Sequence, residues 1–190
     1  YTGDVRSLFE IQNSVAAYYR MLDAFEKREP MSEGLICELQ GLLTQGTYDT
    51  LRYQKGERPG VYKKNDYVTG VQEVGALPED VPEELSELAS ELEDIRPEQA
   101  LTAAAYFHAK FENIHPFADG NGRTGRLLMN YLLLLLDHPP VIIHAEDRRA
   151  YYNALEQFDS DQKLDSLVDF LKSQTVKTWQ ARFERGRNRT

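Results

Sequence analysis

One cysteine, one tryptophan and three methionines stand in a chain of 190 residues. The lone thiol, Cys37, excludes an intrachain disulfide and any metal site built on several cysteines, and it suits a reducing compartment; a cytoplasmic setting is expected. Positive charge is also scarce: 22 Lys and Arg face 31 Asp and Glu, a formal net charge of −9. That field repels nucleic acid and anionic membranes unless basic residues gather locally, so neither is expected as a partner. Nowhere do the ~20 consecutive apolar residues of a membrane span occur. The most apolar run, Leu127 to Leu136, carries Asn130 and Tyr131 and reads as a buried helix. Repeats and low-complexity tracts are missing as well. The chain opens at Tyr1 without a methionine or a signal-like segment, which suits a piece of something longer.

What is present is mostly helical periodicity. Leu8, Ile11, Val15, Tyr18, Leu22 and Phe25 step by three and four, predicting a helix over about Val5 to Lys27 with that stripe inward. Glu29-Pro30 ends it, and Ser32 is placed to cap a second helix carrying Leu35, Ile36, Leu39, Leu42 and Leu43. Between Thr47 and Asp80, glycines 56, 60, 70 and 75 and prolines 59 and 78 flank β-leaning pieces at 60–62 and 67–69, which reads as a loop and a hairpin. Helical spacing returns with Leu85, Leu88, Ala89, Leu92 and Ile95, then from Pro97 through Phe111, from the segment after Asn121 to Leu136, around Arg148 to Phe158, and from Gln162 towards Trp179 and Phe183. The expected class is mainly α with one small β excursion. One domain is expected over 1–190: a helical hairpin (1–45), a loop and hairpin (46–80), a core (81–172) and a C-terminal helix extension (173–190).

The chemistry concentrates in Ile114-His115-Pro116-Phe117-Ala118-Asp119-Gly120-Asn121-Gly122-Arg123-Thr124-Gly125-Arg126, between two helices. Gly120 and Gly122 leave backbone N–H groups open at a helix start, where aligned donors and the dipole attract anions. Arg123 and Arg126 are neighbours on the first turn and can fork onto phosphate oxygens. Asp119 is a candidate Mg²⁺ ligand, since that ion takes one or two carboxylates beside phosphates and waters. His115, with an ordinary pKa of ~6.5, is suited to take a proton from an attacking hydroxyl. The literal G-x-G-x-x-G from Gly120 to Gly125 follows a helix and not a strand, which argues against a dinucleotide fold; no Walker A lysine and no kinase H-R-D or D-F-G segment exists.

This run resembles the Fic motif, H-x-F-x-[D/E]-G-N-G-R-x-x-R, with His115, Phe117, Asp119, Gly120, Asn121, Gly122, Arg123 and Arg126 filling every fixed position. The resemblance extends over about Glu10 to Leu171 and implies a Fic-type helical bundle with a small β-hairpin flap. It further implies an ATP-using, Mg²⁺-dependent protein adenylyltransferase. By motif position His115 is the base and Asp119 the metal ligand; Gly120, Asn121 and Gly122 hold the α- and β-phosphates, Arg123 the β-phosphate and Arg126 the γ-phosphate. Phe117 anchors the loop. Tyr151, Tyr152 and Leu155 resemble adenine-side residues, with Asp159 where relatives often carry asparagine. A protein substrate would dock by strand pairing along the flap around Thr69 to Leu77.

Many members of the family are silenced by a glutamate on a helix of pattern [S/T]-x-x-x-E-[G/N]. No clean copy is found: Ser7 and Glu10 are wrongly spaced, and Thr178 is followed at that spacing by Arg182. Glu10-Ile-Gln-Asn13 resembles the segment after such a helix, which would then lie before Tyr1 or on another chain. The alternatives are a related enzyme with another donor or the reverse activity (UMP or phosphocholine transfer, deAMPylation), or a non-catalytic nucleotide-binding module; a homo-oligomer is left open. His108, His138 and His144 are read as structural, the acidic stretch from Pro78 to Asp94 as a solvated face, and Cys37 as inert.

Overall fold

A computed structural model describes residues 5–69 and 73–187. The class is mainly helical: α1 (Val5–Glu26), α2 (Glu33–Thr44), α3 (Thr50–Gln54), α4 (Val81–Glu91), α5 (Ala100–Ile114), α6 (Asn121–Leu135), α7 (Arg148–Asp161) and α8 (Asp165–Arg187). The central pair is α5 and α6. The α1–α2 hairpin packs on α6, α4 packs on α5, and α7 with α8 closes the other side of α5.

Sequence explains the helix ends. Arg28 takes a left-handed φ of 52° and Glu29 N–H returns to the Ala24 carbonyl at 3.0 Å, so α1 closes before Pro30. The same device ends α6: Asp137 has φ 57° and His138 N–H donates to Leu133 at 2.9 Å, ahead of the two prolines. The Ser32 hydroxyl caps α2 by accepting from Leu35 N–H. Five alanines of α5 (100, 103, 104, 105 and 109) are buried, which lets neighbouring helices approach closely around Phe107 and Phe111. Leu128, Met129, Leu132 and Leu133 of α6 complete that core with Met21, Leu39, Phe158, Leu167 and Leu171. Each fully buried side chain of this size contributes roughly 1.5–3 kcal/mol.

Two expectations need correcting. The expected inward stripe of α1 points largely outward: Leu8, Ile11, Val15 and Tyr18 are exposed, and the buried face is Asn13, Ala17, Met21 and Ala24. The cause is polar: the Asn13 amide donates to the carbonyls of Gln45 at 2.8 Å and Leu43 at 3.3 Å, and this turns the helix so that two alanines permit close packing. Val15 and Tyr18 line instead a groove of about 590 Å³ shared with Ile142 and Trp179. In the loop region, residues 60–62 form no strand and residues 50–54 form α3, capped by Asp49. Val68–Thr69 (β1) and Glu73–Val74 (β2) pair antiparallel, Val68 opposite Val74; two residues a side make a marginal ladder. Residues 70–72, inside the expected docking edge, lie outside the described residues, as do 1–4 and 188–190.

Leu39 sits fully buried on α2 within the core cluster that joins α1, α2 and α6. Leu39→Ala should cost about 2–5 kcal/mol through lost transfer energy and a cavity, read as a lowered urea midpoint at unchanged m-value.

Candidate active site

The chain leaves α5 at His115 in the left-handed conformation (φ 50°, ψ 60°) and enters α6 at Gly120, also left-handed (φ 82°). Gly120 is doubly constrained, since a Cβ there would also lie 2.5 Å from Thr44 Cγ2. Between these points Asn121 staples the turn. Its side-chain carbonyl accepts from Phe117 N–H at 2.9 Å and its amide donates to Phe117 C=O at 2.7 Å, while the residue is 2 % exposed. The Phe117 ring is fully buried against Tyr62 and Phe111, so it fixes the loop from below.

The scaffold grips the same turn from outside. Buried Gln40 on α2 donates to Asp119 C=O at 2.9 Å and to Tyr48 Oη at 3.1 Å, and accepts from Gly60 N–H. Arg52 of α3 donates to Ala118 C=O at 3.3 Å, and Arg123 to Leu43 C=O at 3.3 Å. The segment before β1 is organised by Glu57, fully buried, which accepts from Lys64 N–H, the Asn65 amide and the Tyr67 hydroxyl. Lys63 N–H and Ala76 N–H then donate to the carbonyls of Pro116 and Ile114, one on each side of His115. Gly75 touches the histidine: a Cβ there would stand 2.6 Å from both His115 Cβ and Ile114 O.

His115 is half-buried, and its pKa is pushed down to about 4, first by burial, then by the Lys63 ammonium; a bond to the Glu112 backbone and the Asp119 carboxylate act the other way. The imidazole is therefore neutral at pH 7 and able to accept a proton without first losing one. Asp119 accepts on Oδ1 from Gly120 N–H at 2.7 Å, and its Oδ2 pairs with Arg6 of α1 at 2.7 Å. Arg6 also binds Glu10 at 3.0 Å, Glu10 lies 3.5 Å from Arg123, and Arg123 lies 3.8 Å from Asp119, closing a ring of four charges. Arg123 and Arg126 line a shallow cleft of about 220 Å³ together with Ser14, Tyr18, Leu43 and Asn130.

The turn thus brings His115, Asp119, Gly120, Gly122, Arg123 and Arg126 together. The Asn121 side chain is spent on the loop, which leaves only its backbone N–H for a ligand. Tyr151 is 3 % exposed and stacks on His108 with its hydroxyl 2.6 Å from His108 Nε2, whereas Tyr152 is 49 % exposed with Arg148 over its ring. Asp159 is half-buried on α7, where its charge acts on Glu112. Sequence reasoning passed over Arg6, Lys63, Gly75 and Glu112. None belongs to a spaced motif; only Gly75, a glycine beside an expected strand, carried a local signal of close backbone approach.

The Fic/DOC family model matches residues 30–133. The chain is 48 % identical over 75 residues to "Protein adenylyltransferase Fic" of Drosophila persimilis, a stretch that is 40 % of this chain and 15 % of that protein. Among solved structures, Fic-1 from C. elegans superposes over 100 % of this chain and 55 % of its own with a TM-score of 0.82 at 24 % identity. A Fic domain solved in complex with adenylylated Cdc42 superposes over 88 % of this chain and 54 % of its own, with a TM-score of 0.63 at 21 % identity. The chain therefore spans about half of these solved relatives and matches a small part of the curated one.

The His115 imidazole should titrate near pH 4 in the ligand-free protein, followed through its ring proton shifts by NMR; a midpoint at the ordinary ~6.5 would contradict the burial described. Gly75→Ala should displace His115 and cost about 1–3 kcal/mol, because the new methyl meets backbone and Cβ atoms that have no flexible end to yield. Thermal melts and the His115 resonances check both effects.

Proposed function

Because the chain belongs to the Fic/DOC family, we propose that it is a protein adenylyltransferase that moves AMP from ATP to a Ser, Thr or Tyr hydroxyl of a target protein and releases pyrophosphate. The observation that carries the reading is the single turn in which a neutral imidazole, a carboxylate already set against a cation, and a glycine-opened helix start with two arginines converge. Two relatives, one a protein adenylyltransferase by name and one a domain captured with an adenylylated target, support the same reaction class.

In this reading His115 takes the proton of the target hydroxyl as its oxygen attacks the α-phosphorus, and the bond to the bridging oxygen of pyrophosphate breaks. Backbone N–H groups from Gly120 to Gly122 and the Arg123 guanidinium bind the α- and β-phosphates at the positive end of α6. Arg126 takes the γ-phosphate. Asp119 would hold Mg²⁺: among the described residues no group of three acidic, histidine or cysteine side chains could hold a metal, and a single carboxylate already set against the Arg6 cation fits an ion that draws its other ligands from phosphate and water. That ion would neutralise charge between neighbouring phosphate groups. Arg6 must leave Asp119 Oδ2 for the carboxylate to serve it. Tyr152 offers an exposed ring to the adenine, while buried Tyr151 packs against it with ring centroids 5.0 Å apart.

The flap enters the reading as the docking edge. Backbone bonds from Lys63 and Ala76 tie the base of this segment to the loop on both sides of His115. A target strand added along Thr69 to Leu77 would therefore present its hydroxyl close to the base. No helix among the described residues is long and apolar enough to cross a membrane, and a cytoplasmic site of action is part of the proposal.

The test is incubation with Mg²⁺ and ATP labelled in turn at the α- and γ-phosphate, with a cell lysate and beside His115→Ala. Label should be retained on protein from the α position alone, and the variant should lose about 10²–10⁴-fold in rate. Label arriving from the γ position would mean phosphoryl transfer and sink the reading.

A further inference from the structure

We propose that Glu112 takes up a proton when a polyphosphate enters the turn, so that a buried acid beneath the glycines, and not the arginines alone, sets the affinity for nucleotide. The inference rests on the reading of this turn as a polyphosphate site.

Glu112 stands on the last turn of α5 and reaches under the first turn of α6. Its Oε1 is 3.1 Å from the point a Cβ on Gly125 would occupy, so that glycine makes room for the carboxyl, and it stands 3.7 Å from that of Gly122. Arg126 Nη1 lies 3.1 Å from the same Gly122 point. Although 22 % of the Glu112 side chain is reachable by solvent, Oε1 itself is shut off and has no hydrogen-bond partner. A second buried atom nearby is equally unpartnered: His108 Nδ1, also 3.1 Å from the Gly125 point. The other nitrogen of that ring is engaged by the Tyr151 hydroxyl.

Ionised, Glu112 is a carboxylate with one oxygen shut off from water and unpartnered, beside a His108 ring whose Nε2 lies 4.0 Å from Oε1. Neutral, it escapes most of that desolvation cost. The charged and titratable groups around the carboxyl are Arg126 from α6, Asp159 and Tyr151 from α7, and His108 on its own helix. Burial keeps His108 neutral, its pKa pushed down to about 3, and Tyr151 is held un-ionised by burial too. Only Arg126 opposes protonation. Burial first and Asp159 third push Glu112 up to about 7, with Arg126 acting against them. A triphosphate adds negative charge at the turn and draws Arg126 towards itself, and both changes favour the neutral acid. The proton comes from solvent; no other bond changes.

Calorimetric titration of the intact protein with Mg²⁺ and a non-hydrolysable ATP analogue at pH 8, in two buffers of different ionisation enthalpy, reads the proton directly. Wild type should take up more protons than Glu112→Gln; the analogue's own protonation is common to both and drops out of the difference. Wild-type affinity should tighten as pH falls from 8.5 to 6.5, by at most about tenfold per unit, while Glu112→Gln stays at the tight limit. Independently of any variant, the infrared difference spectrum of wild type on binding should gain the carbonyl band of a neutral carboxylic acid. Equal proton uptake in the two proteins, a Glu112→Gln protein that binds more weakly at every pH, or no such band would overturn the proposal. Failure of both proteins to bind the analogue at all would instead overturn the reading of the turn on which it depends.

Discussion

Everything in the site hangs on the reciprocal pair of hydrogen bonds between the Asn121 amide and the Phe117 backbone. Two helices that are each other's main packing partners must be joined by six residues, and the join has to reverse direction without leaving buried polar groups unpaired. The amide satisfies a donor and an acceptor that would otherwise face the core, and the Phe117 ring makes the same residue an apolar anchor. With the middle of the turn fixed, its two ends have no freedom. His115 is left at the rim of α5 and Gly120 at the mouth of α6, both in left-handed conformations. A side chain is thereby presented from one helix end and bare backbone donors from the next.

The electrostatics of the turn are self-contained in the absence of ligand. A chain with net charge −9 would be a poor anion binder if its basic residues were spread evenly, but Arg6, Arg52, Lys63, Arg123 and Arg126 all serve or border this one turn. Their charges are partly answered in place: Arg6 by Asp119 and Glu10, Arg52 by Asp49, Arg123 by Glu10. Half-exposed pairs of this kind are each worth up to about 1 kcal/mol, so they order the side chains without making them hard to redeploy. The buried groups differ. Lys63 Nζ and Glu112 Oε1 have lost water without gaining a partner, which is tolerable where a ligand or a proton completes them.

The candidate loop was legible in the sequence because its residue types are improbable together in a structural turn and because their spacing fixes them on one helix start. Helix existence was legible too, wherever apolar spacing met a stop such as Glu29-Pro30 or His138-Pro139. The orientation of α1 was not. Periodicity identifies an apolar face, but a face seeks burial only if nothing stronger turns the helix, and Asn13 bonded to two α2-end carbonyls is stronger here than Val15 or Tyr18. The short α3 was hidden among glycines and prolines. Tyr151 was read as a ligand-facing ring, and the structure places it inside, on His108. Lys63, Gly75 and Glu112 matter through contacts between segments far apart in the chain, which no local pattern announces.

The contact between Gly75 and His115 confines the tolerance of this region to change. At position 75 any side chain collides with the histidine, and at Lys63 and Ala76 the backbone itself is committed to the loop. Between those anchors, Lys64, Asn65 and Tyr67 are held by buried Glu57 and not by the turn itself. For protein engineering the contact makes Gly75 a fixed seam: changes in the segment that carries β1 must leave it and the backbone bonds at Lys63 and Ala76 in place.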